Sequence, residues 1–280
     1  MSLSTLLSGC FSMRIVDSDI LHPDKSSGYQ QKQKFDALVL KQVRPEASFS
    51  ESSIVINETL HANGFAIEQT HADVLVLYLG GADSHIDNAA KYLMQTIGSC
   101  PINLQMYDYR GYGRTVGEPT MDNLKRDALK IYDDLKSKSS KKLVIHGYSL
   151  GSFIAAHIAQ QRQVDGIILE ATGSSFMALL DAKVPAFAKP FFHFEAADSL
   201  RVIKVDRDMA RYHGKALVIA GEKDDQTPPA LGRLVFDAIP GSEKHFIVAP
   251  NVGHSGLLRN EDVRKTYCEF ITQIQASRSQ

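Results

Sequence analysis

The chain has 280 residues, of which 44% are hydrophobic and 22% charged, and its formal net charge is −1. That length buries a sizeable core as one large α/β domain or a domain with a small insertion. The near-neutral charge, with no long run of one sign, gives no footprint for nucleic acid, and no apolar stretch is long enough to cross a bilayer as a helix.

The first ten residues contain Leu7-Ser8-Gly9-Cys10. This resembles a bacterial lipobox, in which a leucine and two small residues precede a lipid-carrying cysteine. A secretory signal also needs a basic region and a longer apolar stretch before that point, and neither precedes Cys10 here. Two readings follow. Either the resemblance is accidental and the protein is cytoplasmic, or the true start lies upstream and Cys10 anchors an envelope lipoprotein to a membrane surface. Residues 1–34 are then an N-terminal arm, of which 17–34 are polar and mobile or loosely packed, ahead of a main domain over 35–280. The other cysteines, Cys100 and Cys268, are distant from each other, and the three together suggest neither a disulfide framework nor a metal site. Cys268 falls in a helical pattern as a core residue.

Phe35 to Val43 and Ser53 to Ile56 read as the first two strands. Asn63-Gly64 carries a hairpin-turn signal, which makes the early strands antiparallel. Val74 to Leu79 is a continuous apolar run, as expected of a central parallel strand buried on both faces. It leads into Gly80-Gly81-Ala82-Asp83. Asp87 to Ile97 reads as a helix and Ile102 to Tyr107 as a strand. Asp108-Tyr109-Arg110-Gly111-Tyr112-Gly113-Arg114 is a tight turn, in which Asp108 and Arg110 are expected to form a bracing salt bridge. Met121 to Lys136 is an amphipathic helix, with Leu124, Ala128, Ile131 and Leu135 along one face.

Leu143-Val144-Ile145-His146 opens the next apolar strand. It runs into Gly147-Tyr148-Ser149-Leu150-Gly151, a G-x-S-x-G pattern followed by a small-residue helix. The pattern needs a sharp strand-to-helix turn with the serine at its strained apex, and glycines give that turn room. Val164 to Leu169 is another strand. Residues 172–213 then break the rhythm, with Pro185, Pro190 and a run of phenylalanines. A structureless loop of that length is rare, so the segment reads as a small helical lid. Its phenylalanines are expected mostly to form its packing core, with one or two facing the pocket. Ala216 to Ala220 and Lys244 to Val248 are strands, with a helix over Ala230–Ile239 between them. Glu261 to Gln275 is the closing helix. Strands alternating with helices imply a mostly parallel central sheet with helices on both faces.

A serine needs a base within hydrogen-bond reach and an acid to orient that base. Loops after successive parallel strands converge on one sheet edge. The loop after 216–220 offers Asp224, with Asp225 beside it as the alternative acid, and the loop after 244–248 offers His254. The order Ser149, Asp224, His254 matches the Ser…Asp…His order of one class of hydrolase. The backbone N–H groups of Leu150 and Ala82 are candidates for an oxyanion hole. His146 reads as a strand residue, and His85 as a solvated loop residue or one that lines the pocket.

Gly-Tyr-Ser-Leu-Gly at 147–151, Asp-Tyr-Arg-Gly-Tyr-Gly-Arg at 108–114, Gly-Glu-Lys-Asp at 221–224 and Gly-His at 253–254 together resemble the α/β-hydrolase superfamily, in its serine aminopeptidase-like and carboxylesterase-like branch. The resemblance spans roughly residues 70 to 275. It implies an α/β-hydrolase fold and a serine hydrolase working through Ser149, Asp224 and His254 on a small-molecule acyl substrate, without metal or cofactor. One departure is Gly80-Gly81, where the family usually carries His-Gly. Three functions fit: an esterase; the same residues serving an aminopeptidase, thioesterase or acyltransferase; or a non-catalytic binding protein on this fold. An aminopeptidase would need an acid for the substrate amine, and Glu195 and Asp198 in the lid are the candidates.

Overall fold

The computed structural model describes residues 11–277, so the Leu7–Cys10 motif lies outside the described residues. In chain order the elements are β1 (Phe11–Ile15), α1 (Asp24–Ser27), α2 (Ala37–Val43), β2 (Ser48–Asn57), β3 (Leu60–Glu68), β4 (Val74–Leu79), α3 (Ile86–Thr96), β5 (Ile102–Tyr107), α4 (Met121–Lys138), β6 (Lys142–Tyr148) and α5 (Leu150–Gln161). They continue as β7 (Gly166–Glu170), α6 (Phe176–Ala182), β8 (Phe192–Ala196), α7 (Asp198–Arg201), α8 (Val205–Met209), β9 (Ala216–Gly221), α9 (Pro229–Ala238), β10 (Lys244–Ala249) and α10 (Glu261–Ala276).

Eight strands form one sheet in the order β10-β9-β7-β6-β4-β5-β3-β2. Its members pair in parallel except at β2–β3 and β3–β5, so β3 alone runs against the rest. Strand order reverses between β4 and β6, where the carboxyl ends of an open α/β sheet form a ligand crevice. Every residue of β4, β5, β7 and β9 is buried. On one face Leu75, Leu77 and Leu79 of β4 pack with Leu124, Ile131 and Ile154 of α4 and α5. On the other Val74, Val76 and Tyr78 pack with Ala90, Leu93, Phe270 and Ile274 of α3 and α10. No helix among the described residues is long and apolar enough to cross a membrane.

Several readings of the sequence are corrected. Residues 37–43 form a helix rather than a strand, because the Asp36 side chain accepts from the N–H groups of Leu38 and Val39 as an N-cap. Asn63-Gly64 lies inside β3, and the chain turns instead between Asn57 and Leu60. A Cβ on Gly64 would stand 1.8 Å from the Met106 carbonyl oxygen of β5, so the glycine serves close strand approach and not a turn.

Cys100 and Cys268 form a disulfide, joining the end of α3 to α10 across 168 residues of sequence. The N-terminal arm, whose residues 17–34 read as mobile or loosely packed, is tied down where the structure describes it. β1 pairs in parallel with β8, Leu21 is buried, and the Asp24 carboxylate meets His85 and the Gly113 N–H. The insertion between β7 and β9 therefore holds a strand as well as short helices. Of its phenylalanines, Phe176 is buried, whereas Phe187, Phe191 and Phe192 are exposed at 82%, 53% and 43%. The segment is too short to enclose them all and instead lays Phe176 and Leu200 onto the main core.

Candidate active site

Ser149 sits between β6 and α5 with φ +52° and ψ −117°, a region L-residues rarely adopt. Such a conformation costs about 1–3 kcal/mol and survives only where the surroundings fix it. Here they do. A Cβ on Gly147 would lie 2.3 Å from the Gly151 carbonyl oxygen, and one on Gly151 only 2.0 Å from that of Leu79. The turn is thus pressed against the end of β4, and no side chain fits at either position. The Ser149 N–H donates to the Glu170 carbonyl oxygen of β7, and the Ser152 hydroxyl donates to the Ser149 carbonyl.

The three residues named from sequence come together. His254 Nε2 lies 3.0 Å from Ser149 Oγ, and its Nδ1 lies 2.9 Å from Asp224 Oδ2. Asp224 Oδ1 accepts from the N–H groups of Gln226 and Thr227, and Oδ2 from the Thr227 hydroxyl. Burial opposes ionisation of this carboxyl, but hydrogen bonds from His254 and Thr227 outweigh it and hold the pKa below the usual carboxylate value. Asp225 is exposed and has no part in this arrangement. Thr227 is a member that the sequence did not single out; its position three residues after Asp224, where its N–H closes back on that carboxylate, is the signal.

Of the two N–H groups proposed for an oxyanion hole, Leu150 is the first residue of α5, where helix geometry leaves the N–H without an intrahelical partner. Ala82 lies in the turn after β4. That turn abuts the serine, since a Cβ on Gly81 would stand 3.4 Å from Ser149 Cβ. Three bonds hold it: Tyr109 Oη donates to the Gly80 carbonyl, the Gly81 N–H donates to Ser84 Oγ, and the Ser84 N–H donates to the Gly81 carbonyl. The tyrosine of the neighbouring loop thereby braces a turn that lacks the family's usual histidine.

Three side chains play other parts than expected. Arg110 pairs with Asp127, at 2.6 and 2.7 Å, and not with Asp108. Asp108 instead accepts from the N–H groups of Ile86 and Arg114. Burial pushes its pKa up to about 6, against those two hydrogen bonds. His85 is buried, not solvated: Nε2 lies 2.7 Å from Asp24 and the ring stacks on Tyr29 at 3.5 Å. His146 is a strand residue, fully buried, with Nε2 2.9 Å from Glu170 Oε2. The lid acids Glu195 and Asp198 are exposed, and Asp198 pairs with Arg201.

A cavity of about 400 Å³ lies beside Tyr148 and Ser255, the chain neighbours of Ser149 and His254, and is walled also by Ser84, Tyr92, Tyr78 and Glu170. Tyr148 Oη lies 2.9 Å from Ser255 Oγ, and its ring is 5.4 Å from that of His254.

Residues 70–202 match the family model described as serine aminopeptidase, S33. The solved esterase Pf2001 of Pyrococcus furiosus superposes with a TM-score of 0.64 at 14% identity, covering 88% of this chain and 98% of that one. The chain has the α/β-hydrolase fold. Among curated proteins, this chain is similar to an uncharacterised protein of Mycobacterium tuberculosis, 32% identical over 158 residues, which cover 55% of this chain and 53% of that one. It is also similar to mouse lysophosphatidylserine lipase ABHD12, 26% identical over 187 residues, covering 61% of this chain and 46% of that one. The chain spans about half the length of the curated relatives it matches.

Proposed function

We propose that this protein is a serine hydrolase that cleaves a carboxylic ester or a related acyl bond through an acyl-enzyme on Ser149. The observation that carries the reading is the unbroken line from Asp224 through His254 to Ser149, at 2.9 and 3.0 Å, ending on a serine held at the apex of a strained turn. His254 Nε2 takes the Ser149 proton as the oxygen attacks the acyl carbonyl. Asp224 keeps the other imidazole proton on Nδ1 and stabilises the imidazolium. The Leu150 and Ala82 N–H groups receive the charge that develops on the carbonyl oxygen. His254 returns its proton to the departing alcohol, and water, activated by the same histidine, then releases the acid.

The test is intact-protein mass spectrometry after exposure to a fluorophosphonate. Wild type should gain one adduct and Ser149→Ala none, and p-nitrophenyl ester turnover should fall by about 10⁴-fold or more in the variant. A folded wild-type protein that takes no adduct would instead support the binding-protein reading. Acyl-CoAs and aminoacyl anilides run beside the esters decide between the acyl chemistries. The Cys100–Cys268 disulfide supports an oxidising location over the cytosol.

A further inference from the structure

Glu170 closes β7 with 2% of its surface exposed, yet it lines the cavity beside Tyr148. A buried carboxylate is costly unless charge and hydrogen bonds surround it. His146 Nε2 meets Oε2 at 2.9 Å, and the far nitrogen of that imidazole lies 3.3 Å from Tyr267 Oη. Among the described residues the other oxygen, Oε1, has no hydrogen-bond partner, and the carboxylate has no ion pair besides His146. One oxygen of this largely buried side chain is therefore left to the cavity.

The rest of the wall fits a cation. Tyr78, Tyr92 and Tyr148 contribute three aromatic rings, and Asp83 adds an acidic group at the exposed edge. Rings and a carboxylate around a partly enclosed space are the combination that holds alkylammonium groups. An anion would meet Glu170 and Asp83. A plain acyl chain would strip water from Oε1 and replace it with nothing. Arg259, the one Lys or Arg of the lining, is exposed and stands 5.7 Å from the Tyr92 ring.

We propose that this cavity is a subsite for an alkylammonium group of the substrate, with Glu170 Oε1 as its counter-charge. Its place in a substrate rests on the hydrolytic reading, because the cavity adjoins Ser149 and His254 through Tyr148 and Ser255. Its affinity for a cation does not. The sequence pointed for amine recognition to Glu195 and Asp198, which stand in the exposed lid; the buried acid is instead at the end of a central strand.

The test has two arms. Isothermal titration of benzyltrimethylammonium into the Ser149→Ala protein should give saturable binding. Glu170→Gln in that background should weaken it by at least about tenfold, the scale of one lost charge-assisted contact. Because Glu170→Gln disturbs a buried pair, Ala89→Phe is the second variant: it fills the cavity from α3, leaves His146 and Glu170 intact, and should abolish binding. In the kinetic arm, wild type should prefer a choline ester over its neutral 3,3-dimethylbutyl counterpart in kcat/KM, and Glu170→Gln should erase that preference.

Absence of saturable binding, or binding that survives both variants, overturns the site. Binding without any preference among turned-over esters overturns its assignment to the substrate. If fluorophosphonate fails to label Ser149 and no ester is cleaved, the hydrolytic reading falls, while the titration still judges the cavity.

Discussion

Replacing Asp224 by Asn tests how the acid acts. Oδ1 of Asp224 accepts two backbone N–H groups, while Oδ2 accepts from Thr227 and faces His254 Nδ1. An asparagine keeps its oxygen where the two N–H groups are and turns its NH₂ toward His254. That group donates, so Nδ1 must accept, and the imidazole proton moves to Nε2. His254 then presents a proton to Ser149 Oγ at 3.0 Å instead of a lone pair, and it cannot serve as base. The same loss in Ser-His-Asp enzymes lowers kcat by about 10⁴, equivalent to about 5.5 kcal/mol of barrier. Ester hydrolysis at pH 7–8, with fluorophosphonate labelling rate as a second readout, should fall by that order. Melting temperature should change little, because the two backbone hydrogen bonds remain. Asp225→Asn, on an exposed side chain, should stay within about twofold of wild type, as surface substitutions usually do. An Asp224→Asn protein within tenfold of wild-type activity, or an Asp225→Asn protein that loses it, would refute the assignment.

Three further outcomes are expected. Gly151→Ala places a Cβ 2.0 and 2.6 Å from the carbonyl oxygens of Leu79 and Gly80; overpacking of this kind costs about 1–3 kcal/mol, and the turn bearing Ala82 must shift, so thermal melting and ester turnover should both drop, and an unchanged turnover would show that turn to be irrelevant. Reducing the Cys100–Cys268 bond, or making Cys268→Ser, releases a cross-link over 168 residues; chain entropy sets a ceiling of about 5 kcal/mol, so calorimetry with and without reductant should show a fall on the order of 10 °C, and coincident curves would count against the bond. For Asp208, burial raises the pKa to about 6 from 3.8; a folded acid that binds its proton more tightly than the unfolded one loses stability as pH rises from about 4 to about 6, so Asp208→Asn should melt higher than wild type at pH 7.5, by about 1 kcal/mol after allowance for its partial exposure, and the gain should vanish at pH 4.

The central strands were legible because parallel strands covered by helices on both faces are apolar throughout: Val74–Leu79 and Ala216–Gly221 are buried at every position. The serine turn was legible too, since a backbone that passes 2.0 Å from where a Cβ would stand admits only glycine there. The order of Ser149, Asp224 and His254 followed from loops that a parallel sheet delivers to one edge. Each of these signals is local, or repeats along the chain.

What only the tertiary structure decided involves partners remote in sequence. Residues 37–43 carry an apolar content that suits either a strand or a helix; packing against α3 and the Asp36 cap selected the helix. Cys100 meets Cys268 because α3 and α10 cover the same face of the sheet. His146 meets Glu170 because β6 and β7 are paired so that Tyr148 faces Glu170 and His146 faces Ile168, which sets the two polar side chains diagonally on one face. The exposed phenylalanines of the insertion had the composition of a core but lacked a second layer to bury them. Composition states what a segment can bury; only the packing of the whole chain determines which surface is there to receive it.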